Sequence, residues 1–185
     1  MQNIQVKELM LPLSEYAVVS PDATLHEALR TLAEAQDKLP DDKPYHRAVL
    51  VTDDQGRIVG KLGQIGFLQA LEPKYAVLGD VERLARAGLS DEFVNSIMDH
   101  YRFWQDNMDD VCRRARTIRI GQVMKPVEVS IDESRSLTEA IHLLVMWHTN
   151  SLLVTRDDDV IGILRMSDLF RSVADAVTSD DCSEV

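Results

Sequence analysis

Cysteine and aromatic side chains are scarce in this chain, and no long stretch of it is apolar. Its 185 residues hold two cysteines, Cys112 and Cys182, and aromatics make up 5%. Two cysteines at that spacing exclude a disulfide scaffold or a cysteine metal framework, so both read as free thiols in a reducing compartment. The apolar runs fall far short of the ~20 residues that span a bilayer. The opening MQNIQVKELM lacks the charged-then-apolar pattern of a secretory signal. The expectation is a cytoplasmic protein with no membrane contact. Cations are also in short supply: 20 Lys and Arg face 31 Asp and Glu, a formal net charge of −11. Nucleic acid is therefore not an expected partner, because phosphate backbones are held by clustered Lys and Arg. One local basic run, Arg113, Arg114, Arg116 and Arg119, reads as a solvated helix face balanced by Asp109 and Asp110.

Catalytic patterns are missing too. There is no Gly-x-Ser-x-Gly, no Cys/His pair and no paired-carboxylate arrangement, so no catalytic residue is expected and the protein reads as non-enzymatic. The five histidines, His26, His46, His100, His142 and His148, are dispersed, and no metal site is expected. Asp157, Asp158 and Asp159 match a calcium loop in charge only, and read as a turn between strands. The glycines Gly60, Gly63 and Gly66 are wrongly spaced for a dinucleotide fingerprint.

What the chain does contain is an internal repeat. Val6, Leu9, Met10 and Pro12 are echoed in order by Ile120, Val123, Met124 and Pro126. Each opening leads to a short apolar run, beginning at Tyr16 and at Val127, and then to a segment of helical periodicity. The first helix carries Leu25, Ala28, Leu29 and Leu32 on one face, the second Leu137, Ile141, Leu144 and Val145. An apolar strand follows in each copy, starting at Ala48 and at Leu152, then an acidic turn and a second short strand ending in glycine, at Gly60 and at Gly162. Closing helices are predicted at 65–71 and 167–174. A unit of about 60 residues is marginal for a core of its own, so two units packing their sheets together is the expected solution.

Residues 72–117 have no counterpart in the repeat and read as helical. Leu78, Val81, Leu84 and Ala85 make one stripe ending at Gly88. Ser90 is a good N-cap, with Asp91 and Glu92 in the first turn, and Phe93, Ile97 and Tyr101 recur every four residues. This insert either packs on its own units or a second copy of the chain, or presents a docking face to a different protein, since much of the aromatic content sits here. The tail, 177–185, is polar and acidic and reads as disordered.

The repeated unit resembles the CBS domain, named for cystathionine β-synthase. The residues that carry the resemblance are the Val-x-x-Leu-Met-x-Pro opening at Val6, the Arg57 to Gly60 strand ending, and the run from Gly162 through Asp168 to Phe170. The resemblance implies an α/β (α+β) fold: tandem CBS domains at 1–71 and 118–176, related by a pseudo-twofold, with the helical insert between them. It further implies a regulatory module that forms a homodimer through its CBS pairs. Such a module senses AMP, ADP, ATP or S-adenosylmethionine in a cleft between units and modulates a partner or its own assembly. No cofactor is implied beyond that regulatory ligand. The alternative is a ligand-free structural protein that docks a partner through the insert.

The resemblance also implies a set of ligand-binding residues. Asp168 is an acceptor-only carboxylate able to take both ribose hydroxyls, at a helix start where N–H groups favour phosphate, with Ser167 beside it. The other reading is that Ser167 or Asp168 caps the helix. Arg165 stands where the family usually has Ser or Thr; it either binds phosphate through its fork or is a surface side chain. Tyr16, Ala17, His46, Arg47 and Ala48 from the first unit, and Ile163 from the second, are expected to enclose the base. The first copy has Gly63 and Gly66 where the second has Arg165 and Asp168. One occupied cleft per chain is therefore expected.

Overall fold

A computed structural model describes residues 4–40, 43–78, 88–127 and 129–179. After a one-turn 3-10 helix at Val6–Glu8 come β1 (Leu11–Pro12), β2 (Val18–Val19), α1 (Leu25–Asp37), β3 (Ala48–Thr52), β4 (Ile58–Gly63) and α2 (Gln64–Leu71). The insert supplies α3 (Lys74–Val77), α4 (Asp91–Tyr101) and α5 (Met108–Thr117). The second copy supplies a 3-10 turn at Ile120–Gln122, then β5 (Ser130–Asp132), α6 (Leu137–Met146), β6 (Ser151–Arg156), β7 (Asp159–Arg165) and α7 (Met166–Thr178). The closing helix thus runs beyond the expected 167–174 and into the segment read as a tail. Residues 180–185, with Cys182, lie outside the described residues, as does most of the stripe Leu78, Val81, Leu84 and Ala85.

Local chemistry repeats with the units. α1 starts at Thr24, whose hydroxyl accepts from the Glu27 N–H while the Glu27 carboxylate accepts from the Thr24 N–H at 2.7 Å. Ser136 and Glu139 build the same reciprocal cap on α6. Each such cap contributes about 1 kcal/mol. Ser90 caps α4 by accepting from Phe93 N–H, as its sequence position suggests. The two acidic turns differ in mechanism. Asp157 and Asp158 adopt left-handed φ values of 49° and 70° in the tight hairpin joining β6 to β7. Asp53 instead accepts from Gln55 and Arg57 N–H.

The strands form a three-stranded sheet, β2-β3-β4, and a four-stranded sheet, β1-β7-β6-β5. The inner strand pairs are parallel for β2–β3 and β5–β6 and antiparallel for β3–β4 and β6–β7. β1 belongs to the first copy in sequence but pairs with β7 of the second, placing Leu11 opposite Ile163 and Pro12 opposite Gly162. The reverse crossing exists as well: Lys125 pairs with Lys61 of β4. Each opening segment is therefore exchanged. Val6 is fully buried in the core with Leu137, Leu144 and Leu164, while Ile120 is fully buried with Leu25, Val49 and Val51. A third cluster, Leu11, Tyr16, Leu50, Leu153 and Ile163, lies between the two sheets. Exchange and inter-sheet burial together make the two marginal units one cooperative body.

The insert is bound into this body. Ala115 of α5 joins the first core. Arg114 donates to the Leu71 carbonyl at 2.8 Å and pairs with Asp106 at 2.7 Å. Glu72 is fully buried, its carboxylate accepting from Trp104 N–H at 2.6 Å and from Lys74 N–H. Arg113, exposed and paired with Asp110, keeps to the expected solvated face of the basic run, whereas Arg114 is drawn inward and Arg119 donates to the Asp22 carbonyl. Met146 and Trp147, at the end of α6, are both more than half exposed and so outside the chain's own core, and Leu29 stands out of the α1 stripe.

Candidate functional site

The junction of β7 and α7 is where the repeat's second copy carries its charge. Arg165 ends β7 and is also the N-cap residue of α7, in extended conformation. Asp168 is three residues on, in the first turn, which brings its carboxylate back over the side chain of residue 165. Both are buried. The Arg165 fork donates through Nε to one Asp168 oxygen and through Nη2 to the other at 2.7 Å. Nη1 reaches across to the first unit, donating to the Pro44 carbonyl at 2.8 Å and to His46 Nδ1 at 3.3 Å. The sequence left two readings for these residues, and both must be corrected. Arg165 is not a surface side chain in water, being only 4% exposed. Asp168 and Ser167 do not cap α7, whose N-cap makes no side-chain hydrogen bond.

The first unit supplies the other wall. Pro44 and His46 lie on the segment leading into β3, held by a hydrogen bond from His46 N–H to the Gln36 side chain at 2.8 Å. Tyr16 follows a 3-10 turn at Leu13–Glu15, and its ring meets the His46 ring edge-on with centroids 4.5 Å apart. Because a guanidinium only donates, Nδ1 of His46 must accept, which places the ring proton on Nε2. That Nε2 is buried with no hydrogen-bond partner, although His46 is only 4% exposed. The Glu15 backbone is within reach of the ring but forms no well-aligned hydrogen bond with it, so this buried N–H beside the ion pair is left under-satisfied, a place where a ligand atom can contribute.

Electrostatics follow from the burial. Burial, reinforced by the Arg165 charge, holds His46 below its ordinary value of 6.5; the Glu15 backbone and Asp168 work weakly against them. Burial pushes the Tyr16 phenol up to about 12, with Arg165 pulling down and Asp168 pushing up. Each shift has a consequence for stability. Folded Tyr16 keeps its proton when the unfolded chain has lost it, so its contribution is intact below pH 10 and disappears as pH rises towards 12. A two-unit shift corresponds to roughly 2–3 kcal/mol. Urea unfolding of wild type and Tyr16→Phe between pH 8 and 11.5 should show the extra alkaline loss in wild type alone. His46 acts at the other end: its stability is present above about pH 6.5 and is lost as pH falls towards its depressed folded value.

The remaining expected residues divide. Ala17 and Ile163 are buried, Ile163 opposite both Leu11 and Leu153. Ala48, half-buried, opens β3 opposite Gly63. Ser167 is half-buried on the first turn of α7. Arg47 is not brought in: its side chain is exposed, and its carbonyl accepts from Gln64 N–H. Pro44 and Gln36 were missed by sequence reasoning; a backbone carbonyl and a neutral amide leave no signature there. At the equivalent junction of β4 and α2, Gly63 and Gly66 stand for Arg165 and Asp168, and Lys61 nearby donates to Thr149 at 3.2 Å. Among the described residues no group of His, Cys, Asp and Glu is placed to hold a metal ion, and no helix is long and apolar enough to cross a membrane.

The two strand-turn-strand units that share exchanged openings match a known family. The CBS domain model matches residues 6–72 and 120–175, and the chain belongs to that family. Among solved structures, the CBS-pair protein CBSX2 from Arabidopsis thaliana is 19% identical with a TM-score of 0.60, covering 95% of this chain and 97% of its own. A second CBSX2 structure, in complex with AMP, is 20% identical with a TM-score of 0.56 over 94% and 98% of the two chains. A CBS domain-containing protein of unknown function from Bacillus anthracis is 17% identical, with a TM-score of 0.62 over 94% of each chain. The cytosolic domain of the Mg2+ channel MgtE in complex with ATP is 20% identical, with a TM-score of 0.55 over 91% of this chain and 48% of that one. Identities this low establish the fold. No curated protein matches the chain.

Proposed function

We propose that this chain is a regulatory CBS pair that binds an adenine nucleotide in the cleft bounded by Asp168. Its occupancy would then alter the geometry of the pair, its assembly or a partner. The observation that carries this reading is the buried carboxylate and guanidinium at the junction of the two units, beside the orphaned Nε2 of His46. A carboxylate accepts both hydroxyls of a ribose, and the buried apolar residues Ala17 and Ile163 suit a base. AMP on CBSX2 and ATP on MgtE support the ligand class. A regulatory role, with no chemistry of its own, accords with the family. Such a ligand shifts the pair only by its difference in affinity between states.

Homodimerisation is part of the proposal. Ile65 and Leu68 on α2, and Phe170 and Val177 on α7, are exposed apolar residues at helical spacings that share a face within each helix. Calorimetry with AMP, ADP, ATP and S-adenosylmethionine, paired with light scattering, tests both points. Heat with at least one ligand, lost in Asp168→Asn, and a mass of twice the chain are expected. No heat with any of the four would remove the sensing reading. The exposed Phe93, Met98 and Met108 of the insert would then favour the second one, a ligand-free protein docking a partner through the insert.

A further inference from the structure

Resting on that nucleotide-binding reading, we infer that Arg165 makes the cleft selective: it admits phosphorylated adenine nucleotides and discriminates against adenosine and S-adenosylmethionine. Asp168 is not waiting free for a ribose, because both its oxygens are already held by the Arg165 fork. A diol that takes the carboxylate must displace that fork. The displaced guanidinium has no water to turn to, being buried against Pro44 and His46 of the other unit. A buried cation stripped of its counter-charge is costly, so the exchange proceeds well only when the ligand brings an anion of its own.

A nucleotide brings both halves of the replacement: a diol for Asp168 and, on the 5′ carbon of the same sugar, a phosphate whose oxygens match the guanidinium fork. Adenosine brings the diol alone. S-adenosylmethionine carries a sulfonium cation on that carbon, a like charge beside Arg165, and its carboxylate lies several bonds further out. Arg165, standing where the family usually has a hydroxyl residue, thus becomes a specificity-determining residue for the ligand's anion. A charge-assisted contact of this kind is worth roughly 10- to 100-fold in affinity.

Calorimetric titration and competition at fixed salt test it, using AMP, adenosine and S-adenosylmethionine on the whole wild-type chain. AMP should bind at least roughly 10-fold more tightly than either of the others. In Arg165→Thr the gap between AMP and adenosine should close, chiefly through weaker AMP binding and stronger adenosine binding. Arg165→Lys, which keeps the charge but not the fork, should keep part of the preference. Equal wild-type affinities, or an unchanged ratio in Arg165→Thr, overturn the selectivity while leaving the nucleotide site standing. Failure of every ligand on wild type overturns the site and the selectivity together. The wild-type comparison needs no substitution, so a variant that fails to fold does not shelter the inference.

Discussion

Asp168→Ala is expected to lower folding stability by about 3–5 kcal/mol, and adding Arg165→Met to it should restore part of that loss. The asymmetry arises because the single substitution leaves a guanidinium buried at 4% exposure with its main counter-charge gone. The Arg165 fork then retains the Pro44 carbonyl and His46 Nδ1, two neutral acceptors that cannot balance a full charge. Removing the cation as well removes the desolvation cost. Recovery remains incomplete, since Pro44 and His46 then lose their donor, at roughly 1–3 kcal/mol for an unsatisfied buried group. Urea unfolding of wild type, both single variants and the double variant closes a cycle that isolates the coupling between the two residues. A cost below 1 kcal/mol for Asp168→Ala, or a double variant less stable than that single, would mean that Arg165 is not left as an uncompensated buried charge.

Much of this fold is legible in the sequence, because repeated local signals point the same way twice. Thr24 with Glu27 and Ser136 with Glu139 announce both helix starts, and the glycines at 60 and 162 mark equivalent places in two hairpins. The order of elements follows from those signals and from the change in hydrophobic period. The exchange of openings does not. Val6 and Ile120 read as buried from their neighbours alone, but which core receives each is decided by tertiary packing with residues far along the chain, Leu137 for Val6 and Leu25 and Val51 for Ile120.

The site was legible as a position and not as a state. Asp168 stands out by its motif, and Arg165 as a departure from it, yet a charged residue at a strand end defaults to solvent on any sequence reading. Its burial depends on Pro44 and His46, which approach from another unit. Glu72 escaped notice for the same reason: its backbone partner at Trp104 lies 32 residues away. Met146 and Trp147 lie outside the chain's own core, since apolarity at a helix end does not say whether the side chain packs internally or on another surface.

The exchange itself predicts an unequal response at the two equivalent glycines. A β-carbon added at Gly162 would collide with the Leu11 carbonyl oxygen, an atom of the β1 backbone that crosses there. At Gly60 the nearest atom is the Met124 sulfur at 2.6 Å, with the Lys125 carbonyl at 3.0 Å. A methionine side chain relieves a clash by changing rotamer, whereas a paired strand relieves it only by moving away. Gly162→Ala should therefore cost about 3 kcal/mol, the upper end of ordinary overpacking, and Gly60→Ala about 1–2 kcal/mol. Hydrogen exchange gives the location as well as the size. In Gly162→Ala the segment 4–12 should lose protection while 120–126 keeps it, because only the first opening has been prised from β7. Val6 then leaves the core it shares with Leu137 and Leu144, so the loss should spread into the start of α6, where Leu137 N–H donates to the Ile4 carbonyl at 3.0 Å. Equal costs at the two glycines, or protection lost first at 120–126, would show that the openings do not cross as described.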